Sequence, residues 1–178
     1  MNENIRKANV KDGVAITMFM YWLKENIGKI KITEISACNK LEEFRKMQDN
    51  YLWQSFDPIC AFGEHAAIMH YTSKHETHQL EEGMVITDEP GIYIDGAYGI
   101  RTENELIVRK GNKNEFGKFM YFEPVTYAPI DLDAICPEDL SNDEKIYLNN
   151  YHKLVYEKIS PYLTEKEKEW LKMYTREI

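Results

Sequence analysis

Val10, Val14, Met18, Tyr21 and Trp22 recur at helical spacing, which predicts an amphipathic helix from about Asn4 to Ile27 with Gly28 as its stop. A second helix is expected from Thr33, whose hydroxyl suits an N-cap, through Ile35, Leu41, Phe44 and Met47 to the polar "QDN". The apolar period then shortens. "PICAFG" and "AAIMHY" are strand-like runs around Gly63, while "MVITDE" and "IRTENELIVR" flank the turn "DGAYG" and form a hairpin. "FMYFEPVTYAPI" is a longer run that Pro124 must interrupt or bend. Beyond Pro137 the helical period returns. Ser141 to Glu144 and Thr164 to Glu167 fit the S/T-x-x-E capping box, ahead of Leu148, Tyr151 and Val155 and of Trp170 and Leu171, so two short terminal helices are expected. No linker divides these pieces. The fold class is α+β, with helices at both ends of a largely antiparallel set of strands.

Length and composition narrow the function more than the fold. With 178 residues, 43% of them hydrophobic, the chain is long enough to bury a real core. The net charge of −8 offers no basic excess to neutralise phosphates, which argues against nucleic acid and anionic membranes as partners and favours cations. Cys38, Cys60 and Cys136 form no CxxC pair, so neither a disulfide framework nor a thiolate zinc site is signalled. No apolar run is long enough to span a membrane, and the N-terminus lacks the basic-then-apolar order of a secretory signal. A cytoplasmic, soluble protein is expected.

The candidate chemistry lies in the hairpin. If its turn centres near Gly96, Glu89 and Glu103 are equidistant from it and face each other across the strands. Like charges directly opposite destabilise a sheet by up to about 1 kcal/mol, so the pair calls for an intervening cation or a raised pKa. A metal ion is the economical candidate, and solvated carboxylates on an open face are the competing one. Elsewhere the plain readings prevail. Trp22, Trp53 and Trp170 read as core or interface aromatics, His152 as a surface or boundary residue of its helix, and "EKEKE" as a solvated helix face.

"TDEPGIYIDGAYGIRTEN" resembles the N-E-P-G … G-x-R-x-E-N signature of the Xaa-Pro aminopeptidase (aminopeptidase P) family, which has the pita-bread (creatinase/aminopeptidase-like) metallopeptidase fold. "IRKANVKDGVAITMFMYWL" is similar to that family's first catalytic-domain helix and "SFDPICAFGEHAAIMHY" to its first strand pair. "FMYFEPVTYAPIDLDAI" and the helical C-terminus resemble its C-terminal extension. The resemblance implies an incomplete pita-bread catalytic domain over residues 1–123 and a C-terminal helical extension over 124–178. It implies that Glu89 and Glu103 are two acidic ligands of a dinuclear site commonly occupied by manganese, with Glu103 the bridging one. It also places His70 near the reacting centre, although a buried strand histidine would look the same, and it makes Arg101 the basic residue of G-x-R-x-E, with a plain charge pair as its alternative.

The departures from the family pattern bear on activity. The family draws two aspartates and further histidines from a segment between "HAAIMHY" and the N-E-P-G strand, whereas here "HYTSKHETHQLEEGM" runs straight into "VITDEPG". Asp88 would stand where the first aspartate belongs, and Gly99 where the second does. His75 and His78 could substitute as ligands, but a solvated loop is the plainer reading. Loss of ligands predicts a weak or incomplete Mn2+ site and an impaired peptidase acting, where active, on peptides with proline second. The alternative is a non-catalytic remnant that serves as a dimerising or peptide/cation-binding module. Homo-oligomers are expected, because a deletion within a sheet leaves exposed edges.

Overall fold

The computed structural model describes residues 2–54 and 81–178. Helix α1 runs Asn2–Asn26 and ends before Gly28, whose φ of 77° lies in the left-handed region that glycine enters without strain. Helix α2, Glu34–Lys46, starts at a capping box made by Thr33 and Ser36. Its apolar face is thinner than its spacing promised: only Ala37 is buried, and Ile35 and Met47 are exposed. The expected strands "PICAFG" and "AAIMHY", and with them His70, lie outside the described residues.

The hairpin divides where two strands were expected. Strands β1 (Val85–Asp88) and β2 (Gly91–Ile94) ascend, and β3 (Tyr98–Arg101) and β4 (Asn104–Asn114) return. Pro90 has no N–H for the ladder, so pairing lapses beside it, and the Pro90 carbonyl instead accepts from the Thr102 N–H at 3.1 Å. The register survives the lapse, since Val85↔Ile107, Asp88↔Asn104, Gly91↔Arg101 and Ile94↔Tyr98 all centre on Gly96. Strand β5, Gly117–Pro124, ends at the proline that was expected to interrupt it and pairs with β4 across a register shift between Lys110 and Lys113.

Residues after Tyr127 form helices α3 (Asn142–Ile159) and α4 (Glu165–Tyr174), each opened by the expected capping box. At 18 residues, α3 is not short. The chain divides into a sheet unit, Met1–Arg6 with Cys60–Thr126, and a helical unit, Lys7–Ile59 with Tyr127–Ile178. The helical unit holds a core of Val14, Leu148, Tyr151, Val155, Ile159 and Leu171. Gly13 is tight there: a Cβ would meet the Tyr127 carbonyl oxygen at 2.5 Å and Ile159 Cδ1 at 3.0 Å. In the sheet unit Ile107, Val108 and Val125 are fully buried.

His152 is not the surface or boundary residue expected. It is fully buried, because Leu148, Tyr151, His152, Val155 and Ile159 make one helical stripe and the imidazole falls in its middle. Its Nε2 accepts from the Ile130 N–H at 3.1 Å, which leaves the proton on Nδ1, a buried atom without a hydrogen-bond partner among the described residues. Burial holds this imidazole below its ordinary pKa. Of the tryptophans, Trp170 is buried and Trp53 is exposed.

Candidate functional site: an acidic pair bridged by arginine

The constant register settles the geometry at the hairpin's interruption. Glu89 and Glu103 occupy the gap between paired segments, and the pairs on either side, Asp88↔Asn104 and Gly91↔Arg101, bring them opposite each other. The cation between them is a side chain. Arg101 Nη1 lies 3.5 Å from Glu89 Oε2, and Arg101 Nη2 lies 3.0 Å from Glu103 Oε2. The Thr87 hydroxyl donates to Glu89 Oε1 at 2.6 Å from two residues back, the strand period placing both on one face.

Arg101 is itself oriented. Its cross-strand partner is Gly91, and a Cβ there would come within 2.8 Å of the Tyr93 ring, so the glycine leaves room for Tyr93 to fold back over it. Tyr93 in turn favours the charged guanidinium of Arg101. Desolvation works against the charged guanidinium, but Glu103, Tyr93 and Glu89 outweigh it and raise the arginine above its ordinary pKa. All three charged side chains are between 40% and 46% exposed, so each ion pair is worth at most about 1 kcal/mol.

A second charge cluster braces the sheet unit. Glu123 receives a fork from Arg6, at 2.9 Å and 2.8 Å, and a third contact from Arg109 Nε at 2.8 Å. Hydrogen bonds from Arg6, with the charge of Arg109 behind them, hold its carboxyl below the usual range. Periodicity could not have found this cluster, because Arg6 and Glu123 stand 117 residues apart in sequence.

Among the described residues the donor set falls short of a dinuclear metal centre. Among the described residues no three His, Cys, Asp or Glu side chains gather closely enough to hold an ion, and the two carboxylates that face each other already share a guanidinium. Asp88 pairs with Asn104, and Gly99, opposite Tyr93, supplies no ligand.

Comparison with known proteins places this hairpin in context. Residues 3–77 and 72–110 match the metallopeptidase family M24, as two pieces that overlap at 72–77, and residues 118–178 match the C-terminal region of peptidase M24. A probable Xaa-Pro aminopeptidase P of Paracoccidioides lutzii is 25% identical over 293 residues, covering 99% of this chain and 48% of that protein. Aminopeptidase P2 of Arabidopsis thaliana is 25% identical over 288 residues, covering 98% of this chain and 41% of its own length. The chain thus spans less than half the length of these curated relatives. Because the fungal alignment runs over 293 residues and this chain has 178, more than a hundred aligned positions of the relative have no counterpart inside it.

The crystal structure of X-prolyl aminopeptidase from Caenorhabditis elegans, described as a cytosolic enzyme with a di-nuclear active site, superposes with a TM-score of 0.87 at 20% identity. It covers 99% of this chain and 47% of its own, and it bears out the α+β, partial pita-bread fold expected from the sequence. Matched by the family over its N-terminal helix and hairpin, and by the family's C-terminal region beyond Lys118, this chain belongs to metallopeptidase family M24.

Proposed function

We propose that the chain is an Xaa-Pro aminopeptidase-like member of its family whose hydrolytic centre is impaired. Glu89 and Glu103 are the retained positions of two acidic metal ligands, Arg101 and His70 match the family's further polar positions in the sequence, and the metal is a divalent ion such as Mn2+, held weakly. The substrate class of such a centre is a peptide with proline second, and the setting is the cytoplasm. Residues 1–123 are the remnant of the catalytic region and 124–178 its C-terminal extension. The observation that carries the reading is the pairing of Glu89 with Glu103 across Arg101, without a third ligand among the described residues. Loss of even an outer partner of a metal site typically costs about 10–100-fold in affinity or activity, and loss of direct ligands costs more.

A second reading is a non-catalytic remnant that self-associates. It is favoured by the sheet unit, where Ile92, Ile100, Phe119 and Phe122 are all exposed. The test is Xaa-Pro dipeptide hydrolysis with Mn2+ present, using the C. elegans enzyme as reference. Turnover reduced more than about 100-fold is expected. Turnover near the reference level that Glu103→Gln abolishes would overturn the impaired-centre reading.

A further inference from the structure

Strand β5 hides neither of its faces. Phe119, Met120, Tyr121 and Phe122 are consecutive and so point alternately to the two faces of the sheet, yet all four are exposed. The sheet runs β1-β4-β5, which makes β5 an edge among the described residues. Two observations fix which of its backbone groups face outward. The Val125 N–H donates to the Glu105 carbonyl at 2.9 Å in the register of the β4–β5 ladder, so odd-numbered positions of β5 turn toward β4. The Val108 N–H donates to the Met84 carbonyl and the Val108 carbonyl accepts from the Gly83 N–H, so even-numbered positions of β4 turn away from β5, in agreement. Lys118, Met120, Phe122 and Pro124 therefore present their backbone outward, and proline falls at a position where the ladder needs no donor.

This edge is complementary to itself. In an antiparallel pair about a two-fold axis through Met120, Met120 exchanges both backbone hydrogen bonds with its counterpart, and Lys118 exchanges them with Phe122 on either side. Phe119 then stands opposite Tyr121 on one face, while the Lys118 ammonium lies across from a Phe122 ring on the other. Lysine on an edge ordinarily discourages pairing, but in this register it meets an aromatic ring. Moving the axis one residue toward the C-terminus sets Lys118 against Pro124, which has no N–H. Moving it one residue the other way carries Phe122 to Phe116, beyond Gly117 and outside the strand. Only the register about Met120 uses all three outward donors.

We infer that β5 is a self-pairing edge, on which a second copy of this chain docks antiparallel about Met120 and continues the sheet through both copies. This rests on the self-associating reading and is independent of peptide turnover. A single added strand buries less than about 1,200 Å2, so the contact belongs to the weak, concentration-dependent class.

The test is sedimentation of the full chain over a concentration series reaching about 1 mM, with Met120→Pro alongside. Because the Met120 N–H points outward, proline there removes the central intermolecular bonds and leaves the β4–β5 ladder intact. A wild-type dimer that Met120→Pro weakens at least about 10-fold is expected. A wild type that stays monomeric throughout overturns the inference together with the self-associating reading. A dimer that Met120→Pro leaves at full strength overturns the inference alone. Should Met120→Pro not fold, amide exchange of the wild type decides. Exchange that slows with concentration at Met120 and Phe122, while Tyr121 and Glu123 are protected at every concentration, supports the pairing. Exchange at Met120 and Phe122 that ignores concentration overturns it.

Discussion

Both units bury a core, but the α3–α4 layer of the helical unit and the strands β2, β3 and β5 of the sheet unit handle similar residue types in opposite ways. In the helical unit, large apolar side chains such as Ile159 and Leu171 are fully buried, and α3 and α4 both start at a completed capping box. In the sheet unit, β-branched and aromatic residues of the same kind, Ile92 and Ile100 on β2 and β3 and Phe119 and Phe122 on β5, are exposed. The relatives carry more than a hundred positions that this chain lacks, and the M24 match breaks at 72–77. The difference teaches that a helical layer stays self-sufficient when its stripes pack on one another. A sheet keeps core-type residues on its strands even where they stand exposed.

This contrast can be broken first at Gly13. Propensity alone favours Ala in a helix by about 1 kcal/mol, yet a Cβ here meets backbone at 2.5 Å. Gly13→Ala is expected to destabilise the helical unit by about 1–3 kcal/mol, read as faster amide exchange along α3. An unchanged exchange rate would mean that the close approach of α1 to Tyr127 is slack.

A pH titration probes the same unit more gently. The His152 imidazole has a depressed pKa in the folded chain, so protonation favours unfolding. Stability is expected to be complete above the ordinary value of 6.5 and to decline as pH falls below it toward the folded value. His152→Asn should remove that dependence while lowering stability at neutral pH, as followed by thermal unfolding. A wild-type midpoint that is flat between pH 7.5 and pH 5, a range chosen to bracket the ordinary histidine value of about 6.5, would refute a buried neutral imidazole.

The smallest effect is expected on the exposed side of the comparison. Phe119→Lys should change stability by less than about 0.5 kcal/mol in denaturant unfolding, because Phe119 is exposed. The same substitution should reduce self-association in sedimentation. A large loss of stability instead would show that β5 is covered and would erase the contrast between the units.

Much of this was legible in the sequence, and the failures have identifiable causes. Capping boxes at Ser141 and Thr164 are local patterns, so both terminal helices were found at their starts. The hairpin register followed from turn symmetry about Gly96. The four-strand division was harder to see, because it depends on where Pro90 withdraws a donor and whether Thr102 compensates. For His152 the residue type suggests the surface, whereas its position in the stripe decides its burial. At the site, opposed carboxylates call for a cation, and Arg101 in the same stretch of sequence lies near both. A guanidinium and a metal ion answer the same electrostatic demand, so the charge pattern alone does not separate them.

The symmetry of the hairpin about Gly96 also constrains how this segment can change over time. Every partner of β1 and β2 is assigned by counting outward from one turn. One residue added between Gly96 and Arg101 would offset the returning strand and send Glu103 to the opposite face from Glu89. The spacing of the two acids is therefore stored as a length, and Arg101 is stored with it. Substitutions can retune the charge of this hairpin one residue at a time, whereas an insertion or deletion in its tip would dismantle the whole arrangement at once.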